Sequence, residues 1–181
     1  MSKSISLKFT HLGIFVLNLE VMKRFYTDVL GFYITDEGEF PNGQNLVFLS
    51  RDPNEHHQII LVDGRADETG FNPINQISFI VEDLSSLRDF YQLILAENVK
   101  NLQAVTHGNA WSLYFRDPEG NRIEVYTDTP WYVSQPLREP LDMGLSIQQI
   151  HEQTEALCQS LQGFQSRADW LLKMQNLMSE D

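Results

Sequence analysis

Apolar and polar positions along the chain spell one succession of elements, and then spell it again. Residues 9–17, Phe-Thr-His-Leu-Gly-Ile-Phe-Val-Leu, read as a strand, and Asn18 caps a helix behind it. Met22, Phe25, Tyr26, Val29 and Leu30 recur at the spacing of one helical face, and Gly31 ends the helix. Residues 32–35 open a strand, and residues 36–44 read as a loop bearing Gly and Pro. Residues 45–50 form a second strand, Asp52-Pro53-Asn54 a turn, and residues 56–62 a third strand. Residues 63–73 are a linker rich in Gly, Asp and Pro.

The pattern then returns. Residues 76–81, Gln-Ile-Ser-Phe-Ile-Val, read as a strand, and Asp83 caps a helix with Leu87, Phe90, Tyr91, Ile94 and Leu95 on its apolar face. Each lies 65 positions after its counterpart (87 − 22 through 95 − 30), and Arg51-Asp52-Pro53 recurs as Arg116-Asp117-Pro118 at the same offset (116 − 51). A fixed offset over helix and hairpin together is an internal repeat. Past Thr127 the register is lost. Pro130, Pro136 and Pro140 mark an extended arm. Ser146-Ile-Gln-Gln149 opens a helix with Ile147, Ile150, Thr154, Leu157 and Leu161 as a buried stripe, ended by Gly163. Ser166 starts a last helix carrying Trp170, Leu171, Met174, Leu177 and Met178. Both helices are expected to pack outside a sheet or across a dimer interface.

The expected fold is therefore α+β. Two paired βαβββ modules, residues 7–63 and 73–128, form a curved barrel-like sheet across residues 7–128. Residues 129–181 add the arm and a C-terminal helical extension. Two sheets each covered by a helix on one face leave a cavity between them as the natural ligand site.

Composition narrows the partners. With 42% hydrophobic residues the chain of 181 can build an ordinary globular core. A net charge of -12 argues against nucleic acid and against an anionic membrane surface. Cys158, the single cysteine, makes no internal disulfide and no zinc motif, which suits a reducing, cytoplasmic setting. The first residues hold no apolar signal core, and no run is long enough to span a bilayer.

Candidate chemistry centres on the hairpin Arg116-Asp-Pro-Glu-Gly-Asn-Arg-Ile-Glu-Val-Tyr126. Asp-Pro and Gly-Asn make the turn, and Glu124 stands as a carboxylate inside an apolar, β-branched run. A charge there needs a partner, water or a cation. The offset of 65, with a step of 48 from Gln76 to Glu124 (124 − 76), relates four positions: His11, Ile59, Gln76 and Glu124. In a pseudo-two-fold barrel they would converge. Taken singly, His11 is as well a core histidine, His56-His57 a solvated strand start, Gln76 a neighbour's hydrogen-bond partner and Tyr114 sheet packing. Their joint placement favours a metal site.

The repeat, the His on the first strand and the Asp-Pro-x-Gly-Asn-x-Ile-Glu hairpin resemble the vicinal oxygen chelate superfamily, which includes glyoxalases, bleomycin and fosfomycin resistance proteins and type I extradiol dioxygenases. The resemblance covers roughly residues 7–128 and is nearest to the extradiol dioxygenases. It implies a divalent metal, Fe(II) or else Mn(II), held by His11, Gln76 and Glu124; Gln76 stands where the dioxygenases carry His. It further implies His57 as acid–base, with His107 and Tyr114 bonded to the substrate oxygens. Strand parity with Ile59 would turn His57 inward and His56 away. Trp111 and Phe115 are either pocket walls or core. The implied activity is ring cleavage of a small catechol-like aromatic with dioxygen. Glyoxalase-like lyase or isomerase chemistry and non-enzymatic binding of an aromatic ligand stay open. Homodimers are common in this superfamily, and one is expected here.

Overall fold

The computed structural model describes residues 8–66 and 72–179. The chain divides into two compact units, residues 1–75 with 117–121, and residues 76–116 with 122–181. No helix among the described residues is long and apolar enough to cross a membrane.

The first unit runs β1 (Leu12–Val16), α1 (Leu19–Arg24), β2 (Tyr33–Glu39), β3 (Asn45–Ser50) and β4 (Ile59–Asp63). Its sheet has the order β1-β4-β3-β2, with β1 parallel to β4 and the other pairs antiparallel. Asn18 caps α1 as expected, its Oδ1 accepting the Val21 N–H at 3.1 Å. The helix then widens into a π turn over Phe25–Val29. The extra residue in that turn puts Met22, Tyr26 and Leu30 in the core and leaves Phe25 and Val29 half-buried. Gly31 ends the helix at φ +70°, where a Cβ is disfavoured.

Two boundaries differ from the sequence reading. The stretch expected as a loop from residue 36 is strand as far as Glu39, with a bulge between Ile34 and Asp36. All seven residues of β2 are exposed, so no apolar alternation announces it. The third strand begins at Ile59, not at residue 56, so His56 and His57 precede it and strand alternation does not orient them. Part of the expected linker, residues 67–71, lies outside the described residues.

The turn Asp117–Asn121 belongs with this unit. Glu119 Oε1 accepts the backbone N–H groups of Leu17 and Asn18 at 2.7 and 2.8 Å, and Oε2 pairs with Arg65 at 3.3 Å. The turn itself is held by Asp117, whose carboxylate accepts the N–H groups of Glu119 and Asn121.

The second unit runs β5 (Ile77–Ile80), α2 (Leu84–Ala96), β6 (Lys100–Thr106), β7 (Ala110–Arg116), β8 (Arg122–Asp128), β9 (Trp131–Tyr132), β10 (Glu139–Pro140), α3 (Ile147–Gln159), β11 (Gln165–Ser166) and α4 (Arg167–Ser179). Five strands form one sheet in the order β10-β6-β7-β8-β5, with β5 parallel to β8. Each of the first four elements repeats the first unit's β1, α1, β2 and β3, and β8 repeats β4, so the α+β class and the βαβββ units are as expected.

Side chains alternate between two unlike faces of this sheet. Leu113, Phe115, Ile123 and Val125 are buried on one, where Phe115 meets Phe90 of α2 at 6.1 Å between rings. Trp111 shares that parity and donates its indole N–H to Thr154 of α3 at 2.8 Å. Trp111 and Phe115 are therefore core, the second of the two readings. The other face carries Ser78, Gln103, Ser112, Tyr114, Arg122, Glu124 and Tyr126. The capping box of Ser146 and Gln149 starts α3, which buries Ile150, Thr154 and Cys158. The last helix, α4, buries no residue; its Trp170 stacks on Tyr132 at 5.2 Å.

Candidate functional site

Polar side chains gather on the open face of the second unit because three strands bring them into register. Tyr114 on β7 lies opposite Glu124 on β8, and Glu124 opposite Ser78 on β5. Glu124 is buried, 7% exposed, yet joins none of the ion pairs among the described residues. Its carboxylate is satisfied by neutral donors instead. Oε2 accepts from Gln76 Nε2 at 2.8 Å and Ser78 Oγ at 2.6 Å, and Oε1 accepts from Tyr114 O–H at 2.5 Å.

His107 extends the row. It sits in the turn between β6 and β7, with Nε2 2.9 Å from the Tyr114 hydroxyl and Nδ1 2.5 Å from the Leu137 carbonyl. A carbonyl only accepts, so Nδ1 carries the proton there. Gly108, at φ +70°, makes the turn possible. A Cβ on it would stand 2.5 Å from Val133 Cγ2. Burial, then the hydrogen bond and charge of Glu124, push the Tyr114 phenol up to about 12. Two guanidinium groups lie over the same ring, Arg122 at 4.2 Å and Arg138 at 4.7 Å from its centroid.

In the first unit His11 is exposed just before β1, its Nδ1 2.9 Å from Thr10 Oγ1. Its ring centroid is 4.4 Å from that of His57. His57 Nδ1 is 2.9 Å from His56 Nδ1, and both rings pack on Phe48. His56 therefore does not turn away, as strand parity implied; it is the hydrogen-bond partner of His57. Burial, then the neighbouring His11 and His56, hold His57 below the usual histidine value.

Within each unit the structure thus brings together Gln76, His107, Tyr114 and Glu124 on one side, and His11 and His57 on the other. Ser78, Arg122, Arg138 and His56 were not among the sequence candidates. Ser78 and Arg122 carried a signal, standing two residues from Gln76 and Glu124 respectively on the same strand face. Arg138 comes from the arm and had none. The repeat is also one step out in its parallel pairing: Leu12 faces Ile59, whereas Ser78 faces Glu124, offsets of 66 and 65 (78 − 12 and 124 − 59).

The second unit offers a divalent cation two open oxygen donors. Among the described residues no three His, Cys, Asp or Glu are grouped to hold a metal. Gln76 anchors through its nitrogen to Ser78 and Glu124, which leaves its Oε1 free. Glu124 has one unused lone pair on Oε1, since three donors meet four acceptor sites. Both are oxygen donors, which suits a harder ion than an all-imidazole set would.

A family model described as Glyoxalase/Bleomycin resistance protein/Dioxygenase superfamily matches residues 8–125. Two curated relatives from Rhodococcus globerulus are similar. Biphenyl-2,3-diol 1,2-dioxygenase 2 is 27% identical over 125 residues, covering 67% of this chain and 63% of the relative. Biphenyl-2,3-diol 1,2-dioxygenase 3 is 30% identical over 115 residues, covering 61% and 57%. The chain spans less than two thirds of the length of these relatives. Among solved structures, a glyoxylase/bleomycin resistance protein/dioxygenase domain from Frankia sp. EAN1pec matches with a TM-score of 0.57 at 21% identity, over 70% of this chain and 100% of that one.

Proposed function

The chain belongs to the glyoxalase/bleomycin resistance protein/dioxygenase superfamily, and on that premise we propose that it is a metal-dependent, extradiol-type dioxygenase that cleaves the ring of a small catechol-like aromatic. The observation that carries this reading is the row His107–Tyr114–Glu124. Its three contacts, from the Leu137 carbonyl to Glu124, need three protons. A neutral imidazole, a phenol and a carboxylate hold two. The row can therefore take up one proton and return it, which is the service that deprotonation of a catechol requires. Isomerisation of a thiol adduct has no evident need for such a row.

The proposed metal, Fe(II) or Mn(II), would be held in the second unit by Gln76 and Glu124. When bound it would acidify the catechol and bring both reactants into one shell. Tyr114 would hydrogen-bond a substrate oxygen while His107 Nε2 receives the released proton. His57 stays neutral near pH 7, because its pKa is held below the usual value, and so fits the acid–base role implied for it. The names of the curated relatives support the same reaction class.

Non-enzymatic binding of an aromatic compound is the second reading. It is favoured by the three hydrogen bonds that Glu124 already accepts from neutral donors. Metal content of anaerobically purified protein separates the two, with Glu124→Ala beside the wild type. Near-stoichiometric metal, affinity lower by more than about 100-fold in the variant, and dioxygen uptake with catechol are expected. Aromatic binding with no metal uptake from added Fe(II) or Mn(II) would leave the binder.

A further inference from the structure

The polar face of the second sheet holds more positive charge than its carboxylate balances. Arg122 stands two residues before Glu124 on the same face of β8. Arg138 reaches in from the arm, its Nη2 donating to Gln103 Oε1 at 2.7 Å. Both guanidinium groups lie against the Tyr114 ring, at 4.2 and 4.7 Å. Neither has an acidic partner among the described residues, since the five ion pairs there involve other groups. Glu124, the nearest acid on that face, is already satisfied by Tyr114, Gln76 and Ser78.

The chain has 13 basic residues against 25 acidic, so two guanidinium groups on one ring with no acid paired to either stand against its net charge of -12. Converging on one ring they repel each other, and the repulsion is relieved when an anion completes the pair. Ser112 adds a second sign. It lies two residues before Tyr114 on the same face, fully buried, and its hydroxyl has no partner. A buried hydroxyl without a partner, on the face that carries two guanidinium groups without an acid, leaves donors on that face unused. The fork geometry of arginine matches a carboxylate with two parallel hydrogen bonds.

We propose that the substrate carries a carboxylate on or near its aromatic ring, and that Arg122 and Arg138 select it. The catechol part of that substrate rests on the function proposed above; the carboxylate part rests on the arginines alone. The acid group docks against the guanidinium groups over Tyr114 while the Tyr114 hydroxyl keeps its place beside Glu124.

The test is calorimetric titration without dioxygen, with and without Mn(II), of three probes: protocatechuate, methylcatechol and benzoate. Protocatechuate is expected to bind about tenfold or more tighter than methylcatechol, the scale of a charge-assisted hydrogen bond. In Arg122→Gln and Arg138→Gln that ratio is expected to fall to about threefold or less, and Arg138→Lys, which keeps the charge without the fork, to retain part of it. Arginines that merely prop Tyr114 would weaken both catechols in proportion, and an unchanged ratio overturns the proposal. Equal wild-type affinities, or no binding of either carboxylate probe, overturn it as well. Benzoate binding that depends on the arginines, with no gain from catechol hydroxyls, would keep the carboxylate site and remove the ring-cleavage reading.

Discussion

Tyr114 is the residue on which the candidate site turns, because one phenol touches the carboxylate, the imidazole and two guanidinium groups. Its raised pKa is also a statement about stability. Below pH 10 the folded and unfolded chains both hold the proton. Above it the unfolded chain releases the proton and the folded one does not, until pH passes about 12. Stability tied to Tyr114 is therefore full below pH 10 and lost between pH 10 and 12, by up to about 2 kcal/mol. Urea midpoints of wild type and Tyr114→Phe across that range should converge as pH rises; parallel curves would contradict the shift. At this scale the sequence disclosed much. Gln76 and Glu124 were marked by the repeat and the hairpin, His107 and Tyr114 by the family resemblance, and His11 and His57 of the first unit do meet. The orientation of His56 was not readable, because parity holds only inside a strand and β4 starts two residues after His57. Arg138 was invisible, since a loop arginine 14 residues beyond Glu124 (138 − 124) has no periodicity to place it.

Among the elements, α3 is docked by two buried polar contacts inside an apolar seam, Trp111 to Thr154 and the weaker Cys158 thiol to the Gly108 carbonyl. Trp111 is 2% exposed and Thr154 is 2% exposed, so the indole N–H has no water to turn to. Thr154→Val keeps the shape and removes the acceptor. The expected cost is about 1–3 kcal/mol, read as a lower urea midpoint with unchanged slope. An unchanged midpoint would mean that α3 is held by its apolar contacts and the Cys158 thiol alone. The elements that the sequence declared were those with a periodic face or a cap: α2 behind Asp83, α3 behind Ser146, and the buried strands β3, β7 and β8. Those it concealed lacked such a face. Strand β2 is exposed along its whole length, and the π turn after α1 shifts burial by one residue without changing composition. For α4 the sequence offered an apolar stripe, and the structure half-buries Trp170 and Met174 and exposes Leu171, Leu177 and Met178.

For the molecule as a whole, charge sets the terms. A net charge of -12 on 181 residues makes the folded chain repel itself, and salt screens that repulsion. Raising sodium chloride from about 0.01 to about 0.15 M should raise the thermal midpoint by about 2–4 °C, a gain on the order of 1 kcal/mol. A flat or falling midpoint would show that local pairs outweigh the net field. The unpaired arginines around Tyr114 are the exception to that field, which is why an acidic ligand is the one expected there. A last consequence concerns how such a duplicated chain can be recombined. The turn Asp117–Asn121 lies in the second half of the sequence, yet it is counted with the first unit, where Glu119 receives the amides of Leu17 and Asn18. A crossover in the linker that exchanged one half for a relative's would part those amides from their carboxylate. The two halves are duplicates in pattern but no longer interchangeable parts, and a functional exchange has to bring a five-residue turn of matching length along with it.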